Sequence, residues 1–469
     1  MVALRKLVNV DKGGKEIMKK KILSLLLFAA MVVPMASGCS GNTSTTTAAT
    51  TKTEATTKTE ATTAKATTAV ATTAAATTGE AVTIEFAQWW EPELPAGFFR
   101  GIMDQFEAEN PGIKVKLISG PYSSTKEQIV AGAAAGTMSD VVGLDGAWVS
   151  DFVKQGAIAS LTDLMGQAKY DDSQLASQIQ LSGATYMIPV VNFVYPVFVN
   201  LDLMKAAGIA TMPATRTEFA AAAKAMTNAD SNIYGWILPL SLQSPNGIQN
   251  DVMSWVWASG GSMLKDGKPD LTNAGVKSAC EFIKGMQDAG SIALGANSMA
   301  EQDKVEEFSN GRVGMMVDSL AHINTIRTNN PSLNFGISAV PAEDGYTGER
   351  GLPYASWGIG VAENSKHKAE AWKLVEFLMS EKVNSQISSS ANAFPGNVNS
   401  TPDSVKTDAL FATAFEIYKA GYPANEFVGL PSAEELMRTF DEQFQDYLGG
   451  GQTVDEMLAS AQAGWAKVF

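Results

Sequence analysis

Nine tryptophans are spread along the chain, and two of them stand side by side between an amide and a carboxylate, Gln88-Trp89-Trp90-Glu91. Flat apolar rings beside hydrogen-bonding groups can hold a ligand that has both apolar faces and polar edges. Adjacent Trp side chains diverge, which makes them poor core residues in a polar loop. At least one of the pair is therefore expected to face a ligand, with the loop adding little to the core. Asp145, followed three residues later by Trp148, sets a second carboxylate near an indole, and it suits equally well the N-cap of a helix starting near Gly146. Asn192 interrupts an apolar run, where its amide can reach a ligand or bond to backbone. Metal and redox chemistry have little to draw on, because the chain holds two His and two distant Cys, too few for a zinc box or a disulfide framework. No cofactor or metal is expected. No nucleophile elbow, metal box or Gly-rich phosphate loop is present. Hydrolysis of a glycosidic bond needs only two carboxyl groups about 5–10 Å apart, and the 49 Asp and Glu residues leave that reading open.

The elements that must position these residues read as α/β. Val82, Ile84 and Phe86 alternate as a strand; Phe99, Ile102, Met103 and Phe106 recur at helical spacing; Asn110-Pro111-Gly112 stops that helix. Ile113, Val115 and Leu117 alternate again, a helical stretch runs from Ser123 to Ala135, and Asp140 to Asp145 reads as a third strand. Strands alternating with helices imply parallel pairing with right-handed crossovers. A second set begins near Met187 and runs to Pro341, and the chain from about Ser404 is mostly helical. At 469 residues, with 45% hydrophobic and 18% charged side chains, there is material for two or three domains or one two-lobed unit. The net charge of −14 provides no basic footprint for nucleic acid.

The N-terminal 80 residues have a different character. Met18-Lys19-Lys20-Lys21, an uncharged run from Ile22 to Val33, and the small residues before Cys39 have the layout of a secretory signal, too short to span a bilayer, which takes about 20 apolar residues. Residues 1–17 carry Asp11 and Glu16 ahead of a complete basic region, so Met18 is expected to be the true start, with residues 1–38 as the signal region. Ala36-Ser37-Gly38-Cys39 resembles the bacterial lipobox, with Ala36 where that pattern usually has Leu, which makes Cys39 the expected lipidated terminus of the mature protein. Residues 41–80 hold 18 Thr and no Leu, Ile, Phe, Trp or Tyr, with Thr-Lys-Thr-Glu-Ala-Thr repeated from Thr51 and Thr57. Such a stretch has nothing to offset the entropy of ordering, so residues 39–80 are expected to form a disordered tether reaching roughly 35 Å. Residues 1–79 carry a formal charge of +6, which leaves −20 on the rest.

Several stretches, taken in order, carry a resemblance. They are Phe106 to Val115; Ser139-Asp140-Val141-Val142 leading to Asp145 and Trp148; Gly156-Ala157-Ile158 and Leu161; Tyr186-Met187-Ile188-Pro189; Val199 to Met204; Phe308 to Met315; Val340-Pro341; and Gln452 to Leu458. Over about residues 82–469 the chain resembles the bacterial extracellular solute-binding proteins of ABC importers, in their sugar-binding, maltose-binding-protein-like group and in lipoprotein form. The resemblance implies a two-lobed α/β fold of the periplasmic-binding-protein type (type II), with a ligand cleft between lobes joined by hinge strands. Lobe one would be residues 82–192 with 358–391, and lobe two 195–356 with 395–469. It implies no enzyme activity, a monomer held by lipid on the extracellular face of the cell membrane, and two partners: an oligosaccharide and the permease subunits of an importer. The rivals are a secreted glycoside hydrolase and a binding protein for a non-sugar polar solute.

A sugar ring has apolar faces and a hydroxyl rim, so its site takes aromatic planes with carboxylate and amide groups. On that basis Trp89, Trp90 and Glu91 follow the first strand at a cleft-facing end, Asp145 becomes a sugar-binding carboxylate, and Asn192 sits at the hinge. The resemblance brings stacking side chains from the second lobe, Trp236 and Trp257, the latter preferred over Trp255, and sets Trp357 in a glycine-rich return strand looking into the cleft. Where relatives carry Gly-x-Trp after the strand ending near Val317, this chain has Asp318-Ser319-Leu320-Ala321-His322, so a stacking plane is replaced by a hydroxyl acceptor at Asp318 and specificity for maltose is not carried over. Trp372 and Trp465 lie on apolar helical stripes and are assigned to the core. If Cys39 is acylated, Cys39→Ser should abolish incorporation of labelled fatty acid; equal labelling of the mutant would refute the assignment.

Overall fold

Alternating apolar residues and helical stripes become the strands and helices of a computed structural model that describes residues 81–469. The signal region, Cys39 and the Thr-rich stretch lie outside the described residues. In chain order the strands are β1 (Val82–Gln88), β2 (Ile113–Ser119), β3 (Val141–Leu144), β4 (Ile179–Leu181), β5 (Ala184–Val194), β6 (Val197–Asn200) and β7 (Tyr234–Trp236). They continue as β8 (Leu264–Lys265), β9 (Lys268–Pro269), β10 (Val313–Val317), β11 (Phe335–Ser338), β12 (Arg350–Val361), β13 (Phe394–Pro395) and β14 (Gly421–Ala424). The larger sheet runs β13-β5-β12-β3-β1-β2, with β4 on β5 and β14 on β12; the smaller runs β11-β6-β10-β7; β8 and β9 form a separate ribbon. β1 pairs in parallel with both β2 and β3, as the strand–helix–strand order requires; the long β12 runs antiparallel to β3, and β5 antiparallel to β12. The chain leaves the larger sheet after Val194 and enters the smaller at Val197, so Tyr195 and Pro196 form one crossing; it returns between β11 and β12. The boundary drawn from sequence at residues 356–358 falls inside β12, and β13 and β14 add to the larger sheet.

Local chemistry sets these bounds. The helix Phe98–Glu109 buries Phe99, Ile102, Met103 and Phe106, a single face at three- and four-residue spacing. The Asn200 side chain accepts from the backbone of Asp202 and Leu203 and so starts the helix Leu201–Ala206. Thr453 and Glu456 form a capping box for Val454–Trp465. In β7 a Cβ on Gly235 would lie 1.9 Å from the Ala223 carbonyl oxygen. Only glycine lets the helix Arg216–Met226 come this close, and that approach buries Trp236 between Phe219 and Trp255.

Two interior features fix the walls that face each other across the sheets. On the larger sheet Trp90 stacks on Trp357 at 5.6 Å with the rings 7° apart, and both Phe86 and Phe99 pack edge-on or tilted against this group. On the smaller sheet Lys304 has no solvent exposure. Its Nζ donates to the Val317 carbonyl at 2.6 Å and to Asp251 at 3.2 Å, and lies 3.7 Å from Asp318. Removing one partner of a buried ion pair leaves an unpaired buried charge and typically costs about 3–5 kcal/mol. Lys304→Met should therefore lower the unfolding free energy by that amount, read as a lower urea midpoint at unchanged slope; a loss under about 1 kcal/mol, the range of ordinary surface substitutions, would show that the ammonium does not hold this wall.

Candidate functional site

A cavity of about 410 Å³ lies where the sheets' strand ends and the crossing segments meet. The larger sheet's side contributes Trp89, just after β1, then Glu93, Tyr122, Asp145, Phe193 and Trp357; the crossing contributes Tyr195; the smaller sheet's side contributes Asn246, Gln249, Asn250, Glu301, Ser319 and His322. One wall is thus mostly aromatic and the other mostly polar. The volume falls in the range of about 300–1,000 Å³ usual for small-molecule sites.

Each wall has a local cause. After β1 the chain turns at once into the 3-10 turn Glu91–Glu93, with Pro92 inside it. That turn sends Trp89 toward the cavity, 5.2 Å from Tyr122 and 5.6 Å from Trp148, while Trp90 goes into the core. Asp145 ends β3 and caps the turn Gly146–Trp148, taking the Ala147 N–H at 2.9 Å on one oxygen and the Tyr122 hydroxyl at 3.1 Å on the other. Burial raises its pKa above the usual carboxylate range. On the opposite wall the π-helical turn Ile248–Val252 sets three consecutive polar residues to work: Gln249 and Asn250 line the cavity while Asp251 reaches Lys304.

His322 lies one helical turn beyond Asp318, and its Nδ1 sits 3.0 Å from the Asp318 carboxylate. Burial by itself would lower the imidazole pKa, but Asp318, with Glu93 and Glu301 nearby, lifts it to about 10. The ring is therefore an imidazolium at neutral pH, and Asp318 is held below its usual range despite its burial because His322 and Lys304 face it. Glu301, Asp318 and His322 bring one ligand atom each within 4.8 Å of one another, the only such group among the described residues. Within it Asp318 is paired with the Lys304 ammonium and the His322 ring, so the group reads as an ion-pair network and not a metal site.

The residues singled out in sequence separate into two sets. Trp89, Asp145 and Trp357 line the cavity. Trp90 does not: it is fully buried among Phe86, Phe99 and Trp357, so the loop is a core element after all. Glu91 points away, its carboxylate accepting from the Ser119 hydroxyl. Asn192 sits behind the cavity, its amide oxygen accepting from the hydroxyls of Tyr354 and, at 2.9 Å, Ser356, which does reach the cavity. Trp236 is core because Gly235 draws a helix over it. Trp257 is buried elsewhere, its indole N–H donating at 2.7 Å to Glu426, and Trp255 packs on Phe219 and Phe282. Asp318 is fully buried and turned to His322 and Lys304. Trp372 and Trp465 are buried.

Glu93, Tyr122, Phe193, Tyr195, Gln249, Glu301 and His322 were not found by sequence reasoning. His322 did carry a signal, since it is one of two histidines and stands four residues after Asp318. Trp89→Ala should weaken ligand binding by about 2 kcal/mol, a hot-spot magnitude, whereas Trp90→Ala should cost about 3–5 kcal/mol of unliganded stability as a large core deletion. Calorimetry and unliganded melts of both variants decide this; the reverse assignment of the two losses would overturn the placement.

Comparison with known proteins agrees with this architecture. Residues 91–385 match the family described as bacterial extracellular solute-binding protein. A binding protein of Brucella abortus (strain 2308) is 30% identical over 375 residues, covering 78% of this chain and 88% of that protein. Among solved structures, an ABC transporter solute-binding protein from Thermotoga lettingae bound with alpha-D-tagatose has a TM-score of 0.72 at 19% identity, covering 83% of this chain and all of that one. An ABC substrate-binding protein from Listeria monocytogenes in complex with cycloalternan has a TM-score of 0.70 at 19% identity, covering 82% and 98%. The fold is the two-lobed α/β arrangement of these proteins, and the chain belongs to the bacterial extracellular solute-binding protein family.

Proposed function

We propose that this protein captures an oligosaccharide in the cavity between its lobes and hands it, unaltered, to the permease subunits of an ABC importer. The observation that carries the reading is the pairing of indole planes at Trp89 and Trp357 with carboxylates and amides at Glu93, Asp145, Gln249 and Asn250 in one cavity. Aromatic planes suit sugar faces, and buried acceptors suit a hydroxyl rim, since each unmatched polar group costs about 1–3 kcal/mol. A ligand of more than one ring is supported by a second groove of about 530 Å³ that shares Ser123, Ser244 and Ala300 with the cavity and offers Trp148 and Phe152 as further apolar surface. Relatives bound with a cyclic oligosaccharide and with a monosaccharide support the ligand class.

Lobes drawn at residues 82–192 with 358–391 and at 195–356 with 395–469 would close over the ligand as rigid bodies about the crossing segments. Lipid on Cys39, with the Thr-rich tether, would hold a monomer at the outer face of the cell membrane; two acyl chains give stable anchoring where one does not. No helix among the described residues is long and apolar enough to cross a membrane. A ligand that binds only the folded state stabilises it by about 2.7 kcal/mol at 100 times its dissociation constant. In a thermal-shift screen of mono- to hexasaccharides of several linkages, at least one oligosaccharide should raise the melting temperature and be recovered intact. No shift with any sugar would contradict the reading, and shortened products at enzyme-like turnover would favour a hydrolase.

A further inference from the structure

We propose that the sugar this cleft accepts carries a free, protonated amine, and that Glu93 and Glu301 receive the ammonium group. The inference rests on the carbohydrate reading and narrows it to amino sugars. It starts from an imbalance of charge. Glu93, Asp145 and Glu301 line the cavity, and no lysine or arginine does; the one lining cation is His322. The cations nearby are already matched, since Lys304 faces Asp251 and Asp318, and His322 faces Asp318. Asp145 is satisfied by Ala147 and Tyr122. Glu93 and Glu301 are left as the surplus.

Their surroundings record that surplus. Burial pushes the Glu93 carboxyl up to about 7; Glu301 and Asp318 raise it further, and His322 opposes them. Glu301 is raised as well, first by burial, with Asp318 adding to it while Lys304 and His322 work the other way. A second observation is independent of charge. Gln249 is 4% exposed, donates to Asn250 at 3.1 Å, and leaves its own carbonyl oxygen Oε1 with no donor among the described residues. Among the described residues Glu301 accepts only a long contact from the Asn250 amide, at 3.5 Å, so the cavity presents acceptors in excess of donors. A neutral hydroxyl can supply a donor but does not favour the ionised carboxyls, whereas an ammonium brings three donors and the positive charge that holds Glu93 and Glu301 in their ionised form. Trp89 and Trp357 line the cavity with the small parts they leave exposed, 4% and 3%, and these would meet the sugar's apolar faces.

The test is calorimetry near neutral pH on matched trios of glycans, each with a neutral, an N-acetylated and a free-amine member, in gluco and galacto forms, α- and β-linked, one to four rings long. A free-amine member should bind roughly ten- to hundredfold tighter than its neutral counterpart, the span of a hydrogen bond to a charged group. Glu93→Gln, or Glu301→Gln if the first variant melts early without ligand, should remove that preference. A neutral or N-acetylated member that binds as tightly as the amine overturns the inference and leaves the carbohydrate reading standing. Failure of every trio member to bind, or tighter binding of a linear polyamine, overturns both.

Discussion

A buried ammonium is costly unless its charge and all its protons are matched, and the wall of the cleft on the smaller sheet is arranged around one. Lys304 comes from the helix Glu301–Ser309, whose first residue faces the cavity. Its partners are the last carbonyl of β10, Asp251 in the π-helical turn, and Asp318 just past β10. Both carboxylate partners sit next to a residue that the ligand would touch, Asn250 before Asp251 and Ser319 after Asp318, and His322 follows four residues after Asp318. Matching the lysine therefore fixes three separate segments relative to one another. A π-helical turn, which is rare and tends to mark functional sites, persists here because it lets Asp251 point inward while Gln249 and Asn250 point to the cavity.

The facing wall is built on a different principle. Trp90 and Trp357 stack almost parallel over Phe86, Phe99 and Phe193, and this apolar block gives β1 and β12 a rigid shared surface. Trp89 and Trp357 present planes from it, while Asp145 holds the Tyr122 hydroxyl. A rigid aromatic wall opposite a charged, hydrogen-bonded wall suits a ligand with one apolar face and a polar rim. The two walls are joined by short crossings at Tyr195 and Pro196 and between β11 and β12. Lys126 and Glu434, paired at 2.6 Å, line the neighbouring groove.

Much of the fold was legible in the sequence because it depends on local period. The alternation through Val82 and Phe86, the stripe from Phe99 to Phe106 and the parallel order of the first three strands follow from residue spacing. The site was less legible because its members are set by what arrives from elsewhere. Nothing in Gln88-Trp89-Trp90-Glu91 says which indole turns inward until the 3-10 turn after it and the ring of Trp357 are in place. Trp236 is claimed by a helix that only Gly235 admits, and Trp257 by Glu426, 169 residues away. Asp318 reads as a free acceptor until Lys304 is found beneath it. Glu301 opens the helix Glu301–Ser309, where an acidic residue is ordinary, and Glu93 closes a three-residue turn that gives no signal of its own.

The central claim is that a sugar ring lies in this cavity between the indole wall and the charged wall. A crystal structure of the protein grown with the oligosaccharide that most raises its melting temperature tests it most directly. The account predicts electron density for a ring packed on Trp89 or Trp357, with its polar groups in hydrogen-bonding reach of Glu93, Gln249 or Glu301. Sugar density outside the cavity, with the space between the two walls holding only solvent at saturating ligand, would contradict it.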